Sequence, residues 1–531
     1  MQSPYSCLNL VRVVAMNQKF TNIKINPIVA GIIVSVLLIG AGSLAYFSRA
    51  DGITEYPVDA IHEELGDTEV KVMTFNIWIG GSVVDFGKVI EAIKSSGADV
   101  VGLQESDGNA ARVANLLGWP FVNESLQIIS KYPLIQPGDS EGLYTYVQLA
   151  PGQVFAMSNI HLPSDPYGPY QIVDGMSKED VLKSEEATRM PTLNQFLPTW
   201  KKLLAQEMPL VITGDFNSPS HLDWIDKTVN QRKAMKFPVA WPESKAVTDL
   251  GMIDTYRVVN PDPKKVPGVT WTLGYPYPRI AKDETVDRID FIFVPVGTKV
   301  VSSDIVGPKG GPDVTIGITP YPSDHLAVVS AFKIKPVEPP AYIATNKLRY
   351  EQGDSVGINY HAPLGDDDVI ALVPAGADPL RDALVTSTPQ EAGYFGALTF
   401  GTQTLDPGKY EVALISAGNA IKRSAFWVVT KNAIPTISSD KATYSQGEPI
   451  RASWKNTYAR KFDWIGISSL NDPAIYYTEL AFIYTKSTVN GEYVITSDDL
   501  GGKLPVGQYE LRYMSDDSYV VSAAQKFTVV N

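Results

Sequence analysis

The chain has 531 residues, too many for a single hydrophobic core, and its composition of 44% hydrophobic and 19% charged residues is ordinary for folded domains. Its 45 Lys and Arg residues against 58 Asp and Glu residues give a net charge of −13, which excludes recruitment of nucleic acid by bulk positive charge. A single cysteine, Cys7, excludes a disulfide or a cysteine-ligated zinc site within one chain.

The first feature along the chain is an apolar segment at residues 28–47, IVAGIIVSVLLIGAGSLAYF, which is long enough to cross a bilayer as a helix. Residues 1–27 carry basic but no acidic residues, so the positive-inside bias predicts a cytoplasmic tail, with the rest of the chain outside. A buried core helix is disfavoured because the segment is apolar on every face. We expect a membrane anchor, or a secreted protein if the segment is a signal cleaved near Ala50.

A polar linker at residues 48–69 leads into a region where strand-like and helix-like patterns alternate. KVMTFNIWI (71–79) predicts a strand, and the apolar residues between Phe86 and Ile93 then recur at helical spacing until Gly97 ends the helix. Further buried strands are predicted at DVVGLQ (99–104), VFAMSNIHL (154–162), PLVITGDFN (209–217), RIDFIFV (288–294) and AVVSAFKI (327–334). We expect residues 70–336 to form one α/β layered domain.

The proline-rich stretch KIKPVEPPAY (333–342) ends this pattern, and short alternating strands with Gly, Pro and Asn/Asp turns follow it. TNKLRYEQGDSVGINY (345–360) is repeated as SDKATYSQGEPIRASW (439–454), and LDPGKYEVAL (405–414) as LPVGQYELRY (504–513). Residues 337–434 and 435–531 are therefore expected to be two tandem all-β, Ig-like sandwiches. Contact with glycans, lipids or proteins and a passive spacer role are the alternatives for them.

Polar residues follow several of the predicted strands, and together their motifs resemble the endonuclease/exonuclease/phosphatase superfamily. The motifs are TFNIW (74–78), LQES (103–106), SKYPL (130–134), NIHL (159–162), GDFN (214–217), DRIDFIFV (287–294) and SDH (323–325). The resemblance covers residues 70–336. It implies a four-layer αββα sandwich, with two β-sheets packed face to face and helices outside. It also implies cleavage of a phosphate ester that depends on Mg²⁺, with Mn²⁺ as the alternative cation.

The resemblance also assigns residues to a metal site. Glu105, with Asn76 beside it, matches the principal metal site of the superfamily, and Asp324 matches the position that completes it. Carboxylate and amide oxygens are the ligands that Mg²⁺ prefers, and a hard cation neutralises phosphoryl oxygens, so the residue types agree with the chemistry.

Five further positions match catalytic roles in the superfamily. His325 matches the general base, whose ordinary pKa is near neutrality, and Asp290 matches the carboxylate that orients it. His161 matches a donor to a non-bridging phosphate oxygen. Asp215 and Asn217 match the pair that orients the attacking water and stabilises the transition state.

The sequence leaves the substrate open among a phospholipid headgroup, a nucleic acid and a small phosphodiester or monoester. The phosphatase branch typically has a Trp-Cys-Asp-Arg run at the position where this chain reads ETVDRID (284–290). The apurinic-site repair branch has a tyrosine at the position where this chain has His161. The acidic balance disfavours a high-affinity nuclease. An extracytoplasmic nuclease and an inactive relic domain in an adhesion or scaffold protein are the alternatives to a general phosphoesterase.

Overall fold

The computed structural model describes residues 65–362, 367–389, 395–473, 479–515 and 519–531. These residues belong to one compact unit, Glu55–Asn531. The predicted membrane segment at 28–47 lies outside the described residues. Within the described ranges, no helix is both long enough and apolar enough to span a bilayer.

The helix predicted from Phe86 onward is confirmed, together with the residues that bound it. It spans Phe86–Ser96 and begins after Asp85, whose carboxylate accepts a hydrogen bond from the Gly87 N–H. Gly97 follows it in the left-handed conformation, with φ 69°, which glycine adopts without a steric penalty. Local sequence therefore sets both ends of this helix.

The α/β domain contains two β-sheets, and the strands predicted from the buried apolar runs all lie in them. In spatial order, the described strands of the first sheet are Val314–Ile318, Lys299–Pro308, Ala327–Ile334, Thr68–Asn76, Val100–Gln104, Ile128–Ser130 and Phe121–Asn123. In spatial order, those of the second sheet are Leu134–Ile135, Thr145–Ala150, Gln153–His161, Leu210–Asp215, Asp290–Pro295 and Met252–Asp254.

Helices cover the outer faces of the sheets. The described α-helices are Phe86–Ser96, Ala110–Leu117, Gly168–Val173, Lys178–Thr188, Met190–Leu193, Leu197–Ala205, Pro242–Asp249 and Thr255–Val259, with short 3₁₀ turns at Ile79–Gly81, Gly138–Ser140 and Asp226–Thr228. Val72 and Val100 of the first sheet share one buried core with Phe155 and Met157 of the second. The sheets therefore pack face to face, and the four-layer αββα architecture is confirmed.

A second core lies on the outer face of the second sheet. Trp200 and Leu203 of one helix pack there against Ile212 and Phe291 of the strands. Removal of side chains of this size from water contributes roughly 1.5–3 kcal/mol each. The strands that carry polar residues at their ends are thus held rigidly from both sides.

A polar layer joins the two sheets beneath their carboxyl ends. The Gln104 amide donates to Asn159 Oδ1 at 2.6 Å, and the Thr213 hydroxyl donates to the same oxygen at 2.9 Å. A Cβ at Gly102 would lie 2.2 Å from Thr213 Oγ1 and 2.3 Å from Asn159 Oδ1. Glycine is required at this position because the polar groups of the opposite sheet come this close to its backbone.

Residues after the α/β domain form two β-sandwiches with the same strand order, as the internal repeat predicts. The described strands of the first are Tyr342–Thr345, Ser355–His361 and Phe395–Gly401 in one sheet and Arg349–Glu351, Asn419–Val429, Gly408–Ser416, Val369–Pro374 and Val385–Ser387 in the other. Those of the second are Thr436–Ser439, Ile450–Lys455 and Gly491–Ile495, and Thr443–Ser445, Val521–Val530, Gly507–Met514, Trp464–Ser469 and Glu479–Tyr484.

Both sandwiches contact the α/β domain. Tyr342, in the first strand of the first sandwich, belongs to the same buried core as Trp200 and lies 6.0 Å, ring to ring, from Tyr146. In the second sandwich, Phe462 stacks on Phe196 with ring centroids 6.1 Å apart. The sandwiches are therefore packed against the α/β domain rather than separated from it.

Candidate active site

The sheet registers bring the predicted catalytic residues together at one edge. Asp215, the last residue of its strand, is paired with His161 on one side and with Asp290 on the other. Asn76 is the last residue of its strand in the opposite sheet, and Glu105 directly follows the neighbouring strand. Because strand ends meet at one edge of a sheet, residues far apart in sequence converge there.

His325 lies between two carboxylates. Its Nδ1 is 3.1 Å from Asp290 Oδ2, and its Nε2 is 3.6 Å from Asp215 Oδ2. The ring is almost completely buried, with 4% exposure. Burial acts to lower the pKa of His325, but the charges of Asp290 and Asp215 outweigh it and hold the pKa well above its ordinary value. The two acids therefore stabilise the imidazolium form.

Asp290 is the buried partner of this histidine. Its backbone N–H donates to Thr270 Oγ1, and its Oδ1 receives no hydrogen bond from the described residues. Burial raises the pKa of Asp290 to about 6, opposed by the nearby charge of His325. The carboxylate is thus held in place mainly by the imidazole that it orients.

Asp215 is the centre of the site. The Asn217 backbone N–H donates to Asp215 Oδ1 at 2.8 Å, and the Asn76 side-chain amide donates to Asp215 Oδ2 at 3.0 Å. His161 Nε2 lies 3.7 Å from the same Oδ2. Asn217 also donates from its side chain to the Leu162 carbonyl at 2.9 Å, which ties the two catalytic loops together.

Glu105 forms the other side of the site. Its Oε1 accepts from the Asn76 amide at 2.9 Å, and its Oε2 accepts from the Ile79 backbone N–H at 2.9 Å. Asn76 Oδ1 accepts from the Trp78 N–H at 3.0 Å. The amide nitrogen of Asn76 therefore faces the two carboxylates, and its oxygen would reach a cation beside them only after the amide turned over.

Two further acids crowd this side, and one of them was not predicted. Burial raises the pKa of Asp324 to about 7, opposed by His325 and supported by the charge of Glu105. Burial also raises the pKa of Asp107 to about 7, with Glu105 again adding to the effect. Asp107 stands two residues after Glu105 in LQESD, and a carboxylate so near a proposed ligand was the sequence signal that could have found it.

These residues fit a divalent cation. Glu105, Asp107 and Asp324 are hard oxygen donors. Burial destabilises the anions of Asp107 and Asp324, a cost that a bound cation would relieve. Among the described residues, the group whose ligand atoms all lie within 4.8 Å of one another is a different one, Asp215, Asp290 and His325. There, however, the imidazole is engaged with Asp290, so the all-oxygen set suits Mg²⁺ better.

Several residues of the site have a strained backbone. Outside glycine, residues with positive φ include Ile79 (46°), Glu105 (52°), Asp107 (49°) and Asn217 (47°). Such conformations are costly for residues with a Cβ, especially a β-branched one, and persist where the surroundings hold them. In this chain they set the directions of the side chains around Asp215.

All eight predicted site residues thus lie in one cluster, and two neighbouring acids do not. Asp254 caps the helix that follows it and pairs with Arg288 at 2.6 Å, while Asp287 pairs with Arg232 at 3.0 Å. His221 hydrogen-bonds Ser244 through Nδ1 at 2.9 Å and is half-buried rather than on the surface. None of these three is joined to the catalytic cluster by a hydrogen bond or ion pair of the described residues.

Trp271 and Tyr275, beside His325, were also not predicted. The Trp271 ring lies 6.3 Å from the His325 ring and 6.0 Å from the Tyr275 ring. Tyr170, in the segment after His161, lies 6.2 Å from Trp271. Tyr170 and Tyr275 are each 36% exposed. Tyr170 lies in the helix Gly168–Val173, whereas Trp271 and Tyr275 lie in one later connection, so no periodic pattern predicts a shared wall.

Comparisons with known proteins agree on the α/β domain. The sequence model of the endonuclease/exonuclease/phosphatase family matches residues 73–325. An uncharacterized protein of Caenorhabditis elegans is 30% identical over 294 residues, which covers 50% of this chain and 91% of that protein.

Two solved structures are similar to this chain. An endonuclease/exonuclease/phosphatase from Beutenbergia cavernae is 18% identical, with a TM-score of 0.32, and the match covers 68% of this chain and 99% of that chain. D. rerio TDP2 complexed with a single-strand DNA product is 13% identical, with a TM-score of 0.30, and the match covers 50% of this chain and 100% of that chain.

Proposed function

The chain belongs to the endonuclease/exonuclease/phosphatase family, and on this premise we propose that it is a metal-dependent hydrolase of a phosphate mono- or diester. Nucleases and phosphatases, which the family description names, both cleave phosphate esters. The observation that carries the proposal is the convergence of His161, Asp215, Asp290 and His325 with the acid cluster around Glu105. An inactive relic domain would not require these residues to converge.

In the proposed reaction, a water attacks phosphorus in line with the leaving group. Asp215 Oδ2 and His325 Nε2, 3.6 Å apart, are close enough for one water to hydrogen-bond both. In its neutral form, His325 accepts the proton of that water, and Asp290, 3.1 Å from Nδ1, stabilises the imidazolium that results. Because the neighbouring acids raise the pKa of His325, the fraction of this neutral form increases as the pH rises. His161 donates to a non-bridging oxygen of the phosphate.

The acids on the other side are proposed to hold the metal. Glu105, Asp107 and Asp324 supply its oxygen ligands, and Asn76 holds Glu105 and Asp215 in register through its amide. When bound, a divalent cation supplies positive charge against the phosphoryl oxygens. We expect Mg²⁺ in this role, with Mn²⁺ as a substitute.

The aromatic wall supports an ester whose leaving group has a flat or apolar part. Trp271, Tyr275 and Tyr170 lie on the His325 side of the site, and two of the three rings are partly exposed. Aromatic rings contribute most when they are covered by apolar surface. Phospholipid headgroups, nucleic acids and small aromatic diesters all remain candidates under this description.

Hydrolysis of bis-p-nitrophenyl phosphate by the purified full-length chain tests the proposal. We expect turnover that requires Mg²⁺ or Mn²⁺ and is removed by a chelator. A panel of DNA, RNA, sphingomyelin and inositol phosphates then identifies the substrate class. Absence of metal-dependent hydrolysis of every ester in both sets would contradict the proposal and favour the relic alternative.

The location of the α/β domain is a separate proposal. The charge asymmetry around residues 28–47 supports a domain outside the cytoplasm, anchored or released after cleavage near Ala50. A reporter active only outside the cytoplasm should work when it is fused after residue 60. Activity of a cytoplasm-dependent reporter alone at that position would refute this location.

A further inference from the structure

A buried pair of acids lies beneath the two catalytic loops, outside the site described above. Glu185, Glu243 and Arg189 all have 0% exposure. Glu185 Oε2 accepts from Arg189 at 2.8 Å, whereas Oε1 of Glu185 and Oε1 of Glu243 receive no hydrogen bond from an N–H or O–H of the described residues. Two bare carboxyl oxygens in a protein interior are costly unless a proton joins them.

The two carboxyl groups are coupled to each other through a hydrogen bond between their side chains. Burial raises the pKa of Glu185 to about 9, opposed by the charge of Arg189 and increased by Glu243. Burial likewise raises the pKa of Glu243, but its hydrogen bond with Glu185 lowers it. The pair therefore holds one proton near neutral pH, which the two carboxyl groups share.

Each end of this cluster holds a catalytic loop. The Arg189 guanidinium donates to the Ser164 carbonyl at 2.7 Å and to the Pro166 carbonyl at 3.0 Å, in the segment that follows His161. The Ser218 hydroxyl donates to Glu243 Oε2 at 2.8 Å, and Ser218 directly follows Asn217. The pair thus connects the two loops that carry His161 and Asn217.

The loop after His161 also lies directly on the pair. A Cβ at Gly168 would come within 2.6 Å of Glu185 Oε1 and 2.6 Å of the Trp241 ring. No side chain larger than that of glycine fits at this point without a shift of the loop. The separation between the loop and the acid pair is therefore set by direct contact.

We infer that Glu185, Glu243 and Arg189 are positioning residues, which hold the His161 and Asn217 loops in their catalytic arrangement through one proton shared between the two glutamates. The inference rests on the proposed function, because the arrangement matters only if those loops act on a phosphate ester. Loss of the shared proton would place two anions in contact inside the protein and loosen both loops.

Other groups around the pair do not provide a second titration of this kind. Arg189 is the cation on the same segment, and the covering loop contributes Tyr167, whose pKa burial raises well above its ordinary value. Tyr167 donates in turn to Asp287 at 3.2 Å. On the helix of Glu243, Lys245 pairs with Asp249, and His221, which hydrogen-bonds Ser244, has a pKa that burial lowers, so neither takes up or releases the proton of the pair.

Hydrogen–deuterium exchange of the full-length chain tests the inference without any substrate. We expect residues 162–168 and 216–222 to be protected near pH 7 and to lose protection as the pH is raised to about 10, where the shared proton leaves. Glu185→Gln should retain the protection at both pH values, because its amide donates to Glu243 as the protonated acid does. Glu185→Ala should lose it at both, and the exposed neighbour Glu186→Gln should match the wild type.

Turnover of bis-p-nitrophenyl phosphate at saturating Mg²⁺ then connects the loops to catalysis. Arg189→Met and Glu185→Ala should lower kcat by about 10–100-fold, the usual size of a misplacement near 1 Å, with less change in KM. Glu185→Gln should restore kcat to near the wild-type value. If Arg189→Met does not fold, Ser218→Ala gives the milder form of the same test, with a smaller fall in kcat.

The outcomes separate the two proposals. Protection that follows the predicted pattern in a chain without hydrolytic activity would contradict the proposed function and leave the shared proton supported. Exchange that is equal in Glu185→Ala, Glu185→Gln and the wild type would overturn the inference, and so would a Glu185→Gln variant as damaged as Glu185→Ala.

Discussion

The shared proton makes the free energy of unfolding depend on pH. In the unfolded chain both glutamates titrate near their ordinary pKa of 4.5, whereas burial raises the pKa of Glu185 in the folded chain to about 9. Folding between these values must therefore take up one proton. The contribution of Glu185 to stability is complete below about pH 4.5 and is lost steadily as the pH rises towards 9.

Glu185→Gln removes this proton uptake. The free energy of unfolding of the wild type should fall, relative to that of the variant, by about 1.4 kcal/mol for each pH unit, or about 4 kcal/mol between pH 5 and pH 8. The slope depends on the single proton and not on the exact folded pKa. Other buried acids, such as Asp107 and Asp324, titrate equally in both proteins and cancel from the difference.

Denaturant titration followed by tryptophan fluorescence is the appropriate assay, since Trp241 packs beside the pair and Trp200 and Trp224 report on the same domain. Glu186→Gln is the matched control, because Glu186 is exposed on the same helix and should give the wild-type slope. Parallel pH profiles for the wild type and Glu185→Gln would refute the reasoning, because they would mean that folding takes up no proton at Glu185.

Three further predictions concern the cores and the metal site. Gly102→Ala should lower the free energy of unfolding by about 1–3 kcal/mol or more in a denaturant titration, because the added Cβ overlaps the polar layer between the sheets. Gly66→Ala is the control, because a Cβ at Gly66 meets no neighbouring atom. Asp223→Ala should cost about 3–5 kcal/mol in the same measurement, because it leaves the buried Arg288 and Arg257 without their common carboxylate. Glu105→Gln should weaken Mg²⁺ binding in calorimetry, whereas the exposed control Glu207→Gln should not. Equal Mg²⁺ affinity in the two variants would contradict the assignment of Glu105 as a metal ligand.

Much of the fold could be predicted because local sequence and burial agree in it. The helix Phe86–Ser96 has its own start and stop residues, and the strand Leu210–Asp215 is a continuous apolar run buried on both faces. Such elements need no tertiary information. The segment after His161, by contrast, contains the helix Gly168–Val173, whose shortness and proline content leave no periodicity to read in the sequence.

The site residues that belong to sequence motifs could be predicted, whereas those that are brought together only by tertiary packing could not. His325 and Asp290 were expected to pair and lie 3.1 Å apart. Glu185 and Glu243 meet only through tertiary packing, and either residue alone resembles a solvated helix position. The wall around Trp271 is hidden for the same reason, because Tyr170 of the helix Gly168–Val173 meets Trp271 only in the folded chain.

The orientation of Asn76 also lay beyond sequence reasoning. Its residue type is compatible with a metal ligand, but its nitrogen faces Glu105 and Asp215 because the Trp78 N–H occupies its oxygen. A side-chain amide has one donor and one acceptor end, and the surrounding hydrogen bonds decide which end faces the site. Composition and spacing contain no information on that choice.

A double-mutant cycle on His325 and Asp290 tests the central claim most directly. The kcat for bis-p-nitrophenyl phosphate at saturating Mg²⁺ is measured for the wild type, His325→Ala, Asp290→Asn and the double variant. His325→Ala should lower kcat by about 10²–10⁴-fold, the usual size of general-base catalysis. Asp290→Asn should also cause a large loss, and the double variant should be little worse than the worse single variant, because the two residues act as one unit. Fully additive losses, or full activity in His325→Ala, would contradict the account.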